Sequence, residues 1–381
     1  DRQAATLAVA ALTLAATIAL YVIIPKGFFP AQDTGTVLGI SEAPQSVSFA
    51  NMAQRQQALV RAVLEDPAVQ GVASFIGVDG SNATLNSGRM LINLRPLRQR
   101  QASAARFIDR LQRRLAPANT TLYLQPVQDL TIENRVSRTQ YQYTLEGADA
   151  NELGSWSERL VERLSSAGAL RDVASDRQDR GLQAMLTIDR ATASRLGITP
   201  QLIVDTLYDA FGQRQVSTMF TQLNQYRVVL EVKRTFQKSP ASLSSIYLRP
   251  PTGGQVPLTA VASVTEQSAP LSINRQDQFP VVTLSFNLAQ GASLSDAVRS
   301  IETATRDMGI PPSIQAGFQG AAAAFRASLA NEPLLILAAV VTVYIVLGVL
   351  YESYIHPLTI LSTLPSAGMG ALLALLLTGD G

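Results

Sequence analysis

Residues Gly35–Val78 read GTVLGISEAPQSVSFANMAQRQQALVRAVLEDPAVQGVASFIGV. The two ends are short apolar runs, and the middle repeats apolar residues every three or four positions. GTVLGISEA therefore reads as a strand, VSFANMAQRQQALVRAVLED as an amphipathic helix and VQGVASFIGV as a second strand. The pattern continues downstream: GRMLINLRP as a strand, ASAARFIDRLQRRLAP as a helix and TTLYLQPV as a strand. The order β-α-β-β-α-β is a ferredoxin-like split βαβ unit.

The same order recurs. QYQYTLEG, ANELGSWSERLVERLSS and LQAMLTID give strand, helix and strand, and FPVVTLSFNL, SLSDAVRSIETATRDM and PSIQAGFQG complete the unit. Between these halves lies an insertion from Arg190 to Ala262. It holds a helix, TPQLIVDTLYDAF, opened by Thr199 and Pro200. QVSTMFTQ and NQYRVVLEVK follow as a hairpin, then SIYLRP and GGQVPLTAVA. Two similar α+β units side by side imply a cleft between them.

Three apolar runs bracket this body. AATLAVAALTLAATIALYVII (Ala4–Ile24) has no charge over 21 residues, enough to cross about 30 Å of hydrocarbon as a helix. The following PKGFFP, with its lysine and aromatic pair, suits a membrane interface rather than a signal-peptide cleavage site. PLLILAAVVTVYIVLGVL (Pro333–Leu350) is a second span, with Pro333 expected in its first turn after Asn331 as a cap. PLTILSTLPSAGMGALLALLLT (Pro357–Thr378) is a third, expected to bend at Pro365 and to pack closely through Ser366, Ala367, Gly368 and Gly370. The turn between these two spans places Tyr351, Glu352, Tyr354 and His356 at the membrane surface. No charged residue falls inside a span, so no proton relay is expected in these helices.

Composition removes other classes. Thirty-one Lys and Arg balance 29 Asp and Glu, which argues against a nucleic-acid partner. Cysteine is absent, so neither a disulfide framework nor thiol chemistry is available. There is no Walker motif, no G-x-S-x-G and a single histidine. No enzyme and no cofactor are expected. The chain begins at Asp1 and stops at LLLTGDG after an apolar run, and reads as part of something longer.

IPKGFFPAQDTG and LYESYIHPLTILSTLPSAGMGALLALL resemble the resistance-nodulation-division (RND) efflux pumps. So do NLRPLRQR, DRATASRLGITPQ, QYRVVLEV, GGQVPLTAVA and LSINRQDQFPVVTLSFNL, and the likeness runs over essentially the whole chain. It corresponds to the start of the second half of such a pump. SFANMAQRQ, LQPVQDLTI and SRTQYQYTL are similar to the MdtB/MuxB type of multidrug subunit.

The resemblance implies an α+β periplasmic region on three transmembrane helices. Its parts would be two ferredoxin-like porter subdomains, residues 28–134 and residues 135–189 with 263–330, and an inserted docking subdomain, residues 190–262. Residues 1–27 and 331–381 would hold the membrane helices. The protein would be a multi-pass subunit of the bacterial inner membrane exchanging protons for drugs. Its partners would be drug-like small molecules, a periplasmic adaptor protein, an outer-membrane channel, the lipid bilayer, and either a second RND subunit or copies of itself in a trimer. By motif position, substrates would meet Leu38, Ile40, Phe75, Val78, Leu85, Met90, Leu91, Tyr141, Tyr143 and Leu145. GVDGSNATLNSG matches the family's switch loop, with Gly77, Gly80 and Gly88 as its flexible points. The alternatives are another RND branch, for metal export or protein secretion, and a membrane-anchored scaffold. Six scattered methionines weigh against a metal path.

Overall fold

A computed structural model describes residues 3–24, 26–28, 32–77, 84–100, 102–115, 120–130, 132 and 137–378. The chain forms two compact units: residues 1–178 with 272–381, and residues 179–271.

In the first unit, α1 (Gln3–Ile23) is the expected apolar helix. It is followed by β1 (Thr36–Glu42), α2 (Phe49–Leu64), β2 (Val69–Ile76), β3 (Ser87–Leu94), α3 (Ala104–Leu115) and β4 (Thr121–Pro126). The sheet order is β2-β3-β1-β4 with antiparallel neighbours, as the split βαβ pattern requires. The Ser48 hydroxyl accepts the Asn51 N–H and opens α2. Val37, Met90, Ile92 and Leu124 of the sheet pack with Leu59 and Val63 of α2 and Phe107, Ile108 and Leu111 of α3. Side chains alternate along a strand, so Val37, Gly39 and Ser41 face the helices and Leu38 and Ile40 face away.

The second sheet starts with β5 (Tyr141–Gly147), α4 (Ala150–Ser165) and β6 (Leu170–Ser175). The chain then enters the separate unit through β7 (Gly181–Ile188), α5 (Arg190–Arg195), α6 (Pro200–Phe211), β8 (Arg214–Phe220), β9 (Gln225–Leu230), β10 (Tyr247–Leu248), β11 (Val256–Pro257) and β12 (Ala262–Ala269). Thr199 caps α6 through the Leu202 N–H, with Pro200 in the first turn. Ile198, Ile203, Leu248, Leu258 and Val261 form the core of this unit. β8 and β9 form the expected hairpin, with Leu223 fully exposed at its tip.

One strand differs from the sequence reading. LQAMLTID was expected to follow α4 in the second sheet. That place belongs to β6, which pairs with β14, while β7 pairs with β12 along its whole length. LRDVAS hides its strand character: it is short and carries two charges, and Asp172 sits in a left-handed conformation (φ 55°) at a register shift.

The chain returns through β13 (Arg275–Gln276), β14 (Phe279–Leu288), α7 (Leu294–Met308) and β15 (Ile314–Gln319). β6-β14-β5-β15 repeats the order of the first sheet. A Ser293–Asp296 capping box opens α7.

α8 (Gly320–Tyr351) continues directly from β15. It begins 13 residues before Pro333, so Pro333 lies inside the helix and Asn331 is no cap. Burial of Ala322 and Phe325 in the core of the second sheet holds the early turns. The third apolar run divides into α9 (Ile355–Leu361) and α10 (Leu364–Thr378). Pro357 and Pro365 each fall in a first turn, where the missing N–H costs nothing. α1 packs on α10, where the Thr17 hydroxyl donates to the Pro365 carbonyl at 2.8 Å.

Candidate substrate-binding face

Register decides which proposed site residues meet. On the first sheet, Leu91 lies opposite both Leu38 and Ala73, and Arg89 lies opposite both Ile40 and Phe75. Leu38, Ile40, Phe75 and Leu91 therefore share the face turned away from α2 and α3. Exposure falls across it. Phe75 is 58% exposed and Leu91 40%, while Leu38 is half-buried and Ile40 is 6% exposed. The face is thus a shelf of apolar side chains around Arg89, which stands between Ile40 and Phe75; it is open at its β2–β3 side and closed at β1.

Met90 points the other way and is fully buried among the helix-facing core residues. Tyr141, Tyr143 and Leu145 share one face of β5, as their spacing demands, but it is the helix-packed face. Tyr143 meets the Phe318 ring edge-on at 4.8 Å and its hydroxyl lies 3.3 Å from Thr305 of α7; Tyr141 stacks on Phe286 at 5.7 Å. These four side chains are core residues in this structure and do not join the shelf. Burial also raises the Tyr143 phenol above its usual value.

The loop ahead of β3 is seen at its two ends. Val78 and Gly80 lie outside the described residues. Gly77 has φ +92°, a backbone that favours glycine as the chain leaves β2. At the other end Leu85 is exposed, while Thr84 and Asn86 are buried. Asn86 is tied to the end of β1 by its main chain and by its amide, which donates to the Ala43 carbonyl at 3.0 Å. Gly88 is confined rather than flexible. A Cβ there would stand 2.7 Å from Ser41 Oγ and 2.8 Å from Gln56 Oε1. Those two groups are bonded to each other, and Gln56 also donates to Ser74 Oγ at 2.9 Å.

What closes the shelf at β1 is an ionic group. Arg138 grips Glu42 with two bonds, 2.5 and 2.8 Å, and Gln178 Nε2 donates to the same carboxylate at 3.0 Å. Burial opposes the charge of Arg138, but the bonds from Glu42 prevail and raise its pKa. Tyr123, opposite Ile40, is pushed up to about 12, by burial first and then by the Glu42 charge. Asp176 accepts the Thr283 N–H at 2.8 Å and an Asn274 amide N–H at 2.7 Å, yet burial still raises its pKa. Among the described residues, no group of three or more His, Cys, Asp or Glu is placed to hold a metal ion.

The model of the AcrB/AcrD/AcrF family matches residues 1–381. The chain belongs to the AcrB/AcrD/AcrF family. Structural comparison agrees on the fold. Two crystal forms of a heavy metal efflux pump superpose with TM-scores of 0.88 and 0.87, at 20% and 21% identity. Each match covers all of this chain and 40% of the pump chain. At this identity the likeness is one of fold.

For an AcrB/AcrD/AcrF chain, sequence reasoning missed the Glu42–Arg138–Gln178 group. The available signal was a glutamate ending an otherwise uncharged strand, TVLGISE. Its partner stands 96 residues away in a segment without regular structure, which no local pattern reveals.

Proposed function

We propose that this chain is part of a proton-driven RND exporter of the MdtB/MuxB type, carrying drug-like molecules from the periplasm toward an outer-membrane channel. The two βαββαβ sheets serve as porter subdomains and residues 190–262, which lie within the unit Asp179–Leu271, as the docking part. The protein sits in the bacterial inner membrane on α1, α8 and the α9–α10 pair, works with an adaptor protein, and assembles as a trimer. The observation that carries the reading is the shelf of Leu38, Ile40, Phe75 and Leu91 around Arg89, on the sheet face turned away from α2 and α3. Apolar side chains with a polar group among them suit varied, largely apolar substrates. The apolar runs Ala4–Ile24, Pro333–Leu350 and Pro357–Thr378 hold no Asp, Glu, Lys, Arg or His, so proton coupling is assigned to helices other than these.

A second reading is metal export, because the pump of like fold is a heavy metal efflux pump. One experiment separates them. In cells expressing the full-length protein, Phe75→Ala and Leu91→Ala should change tolerance to some organic drugs and not others, at equal protein level. Unchanged tolerance to every drug, with altered tolerance to zinc, copper or silver ions, would overturn the drug assignment.

A further inference from the structure

The segment Arg95–Arg114 carries seven arginines against one acid, Asp109, in a chain whose charges otherwise balance. Four of them, Arg100, Arg106, Arg110 and Arg113, line an open cavity of about 1160 Å³. Its other wall belongs to the second sheet unit and contributes Arg171 of β6 and Gln290, just after β14. Five guanidinium groups therefore line one concavity, with Asp109 as the only acid among its described lining residues.

Their partners are unequal. Arg100 is buried and paired with Asp33, and Arg110 is paired with both oxygens of Asp66, at 2.8 and 2.9 Å. Arg171 bonds Asp109 across the junction at 2.5 Å and also lies 3.4 Å from the Asp172 carboxylate. Among the described residues, Arg106 has no carboxylate partner, and the Arg113 side chain bonds only the Asp109 carbonyl of its own helix, at 3.1 Å. Two exposed cations are thus left over, three and four positions from Arg110 on one face of α3. A concave wall focuses the field of like charges and concentrates counter-ions. Planar guanidinium forks match carboxylate and phosphate oxygens with paired bonds.

The junction itself is built for contact between the two sheet units. Gln112 of α3 donates to Asp172 of β6 at 3.1 Å, and Asn287 of β14 donates to the same carboxylate at 2.9 Å. Asp172 holds its left-handed backbone (φ 55°) there, a conformation that costs energy for a non-glycine residue. A multivalent anion in this cavity would meet Arg106 and Arg113 from one unit and Arg171 from the other.

We propose that the cavity between α3 and β6 binds a small oxyanion with at least two negative charges, carboxylate or phosphate, that bridges the two sheet units. The site is separate from the apolar shelf and selects the opposite chemistry.

The test uses the full-length protein in lipid nanodiscs, with pyrophosphate and citrate as probes in titration calorimetry. Saturable binding that weakens with added salt is expected. The double variant Arg106→Ser/Arg113→Ser should weaken it at least about tenfold, with an unchanged unfolding temperature. Arg98→Ser, an exposed arginine of the same segment outside the cavity lining, should leave it unchanged. Repeating the titration in phosphatidylglycerol and in phosphatidylcholine nanodiscs identifies the source. Competition by the anionic lipid alone supports the site with a headgroup phosphate as its ligand, and equal binding in both supports a free anion. No saturable binding of either probe in the zwitterionic lipid, together with no effect of the double variant in the anionic one, overturns the proposal. So does equal loss in the double variant and in Arg98→Ser.

Discussion

Glu42→Ala should destabilise the first unit far more than an exposed ion pair would suggest. The side chains of Arg138 and Glu42 are only 14% and 20% exposed, and the pair is joined by two bonds. Removing one member of a buried pair costs about 3–5 kcal/mol, because the remaining charge is stranded. The residual exposure, and the nearby negative charge of Asp176 for Arg138, reduce this to about 2–3 kcal/mol. At about 2–4 °C per kcal/mol for a body of this size, the midpoint should fall by about 4–12 °C. Thermal unfolding followed by tryptophan fluorescence measures this, and Trp156 in α4 is the only tryptophan of this chain. The decisive comparison is the cycle of Glu42→Ala, Arg138→Ala and the double variant. The double should be less destabilised than the sum of the singles by about 2 kcal/mol, since neither charge is then left alone. If the two losses add to within about 0.5 kcal/mol, the pair is not an energetic unit and the reasoning fails.

Gly88→Ala should cost about 1–3 kcal/mol, because the new methyl group must displace the bonded Ser41–Gln56 pair; an unchanged unfolding midpoint would show that Gln56 yields freely. Met90→Ala should cost about 2–5 kcal/mol of stability, while its neighbour Leu91→Ala should leave the midpoint nearly unchanged and act on substrate selection instead; equal destabilisation by both would contradict the assignment of the two sheet faces. Burial alone would raise the Asp33 pKa, but the bonds from Arg100 and the Ala104 N–H overcome it and hold the carboxyl below its usual value. Its contribution to stability is therefore full at neutral pH and is lost as pH falls below the ordinary carboxylate range; Asp33→Asn should flatten that part of the stability–pH curve, and an unaltered slope would count against the pairing.

The three apolar runs and the first βαββαβ unit were legible because each rests on local periodicity. Period two along β1 also showed that Leu38 and Ile40 share a face. It did not show which face the helices cover, since that depends on where α2 and α3 fold back. The same gap explains Tyr141, Tyr143 and Leu145, whose alternation was correct and whose side was not. β7 was misplaced because its partner β12 begins more than 70 residues downstream, while the true neighbour of β14, β6, carries charges and a bulge. The start of α8 was obscured by Asn331 and Pro333, a pair that marks a boundary in most sequences. Tertiary burial of Phe325 overrides that signal.

α8 is one rod with two anchorages. Its 32 residues span about 48 Å, while hydrocarbon accounts for about 30 Å. The remaining length is lodged in the sheet unit, where Arg326 pairs with Glu302 of α7 at 3.1 Å. A tilt imposed on the bilayer end is therefore carried toward the sheet by the helix itself, less what its softest point absorbs. The compliance of this shaft is concentrated near Pro333, where the ring removes the hydrogen bond to the Leu329 carbonyl. That places the softest joint just where the rod leaves the folded body, so an angular change in lipid is taken up first as bending about this pivot, and only the remainder turns the sheet.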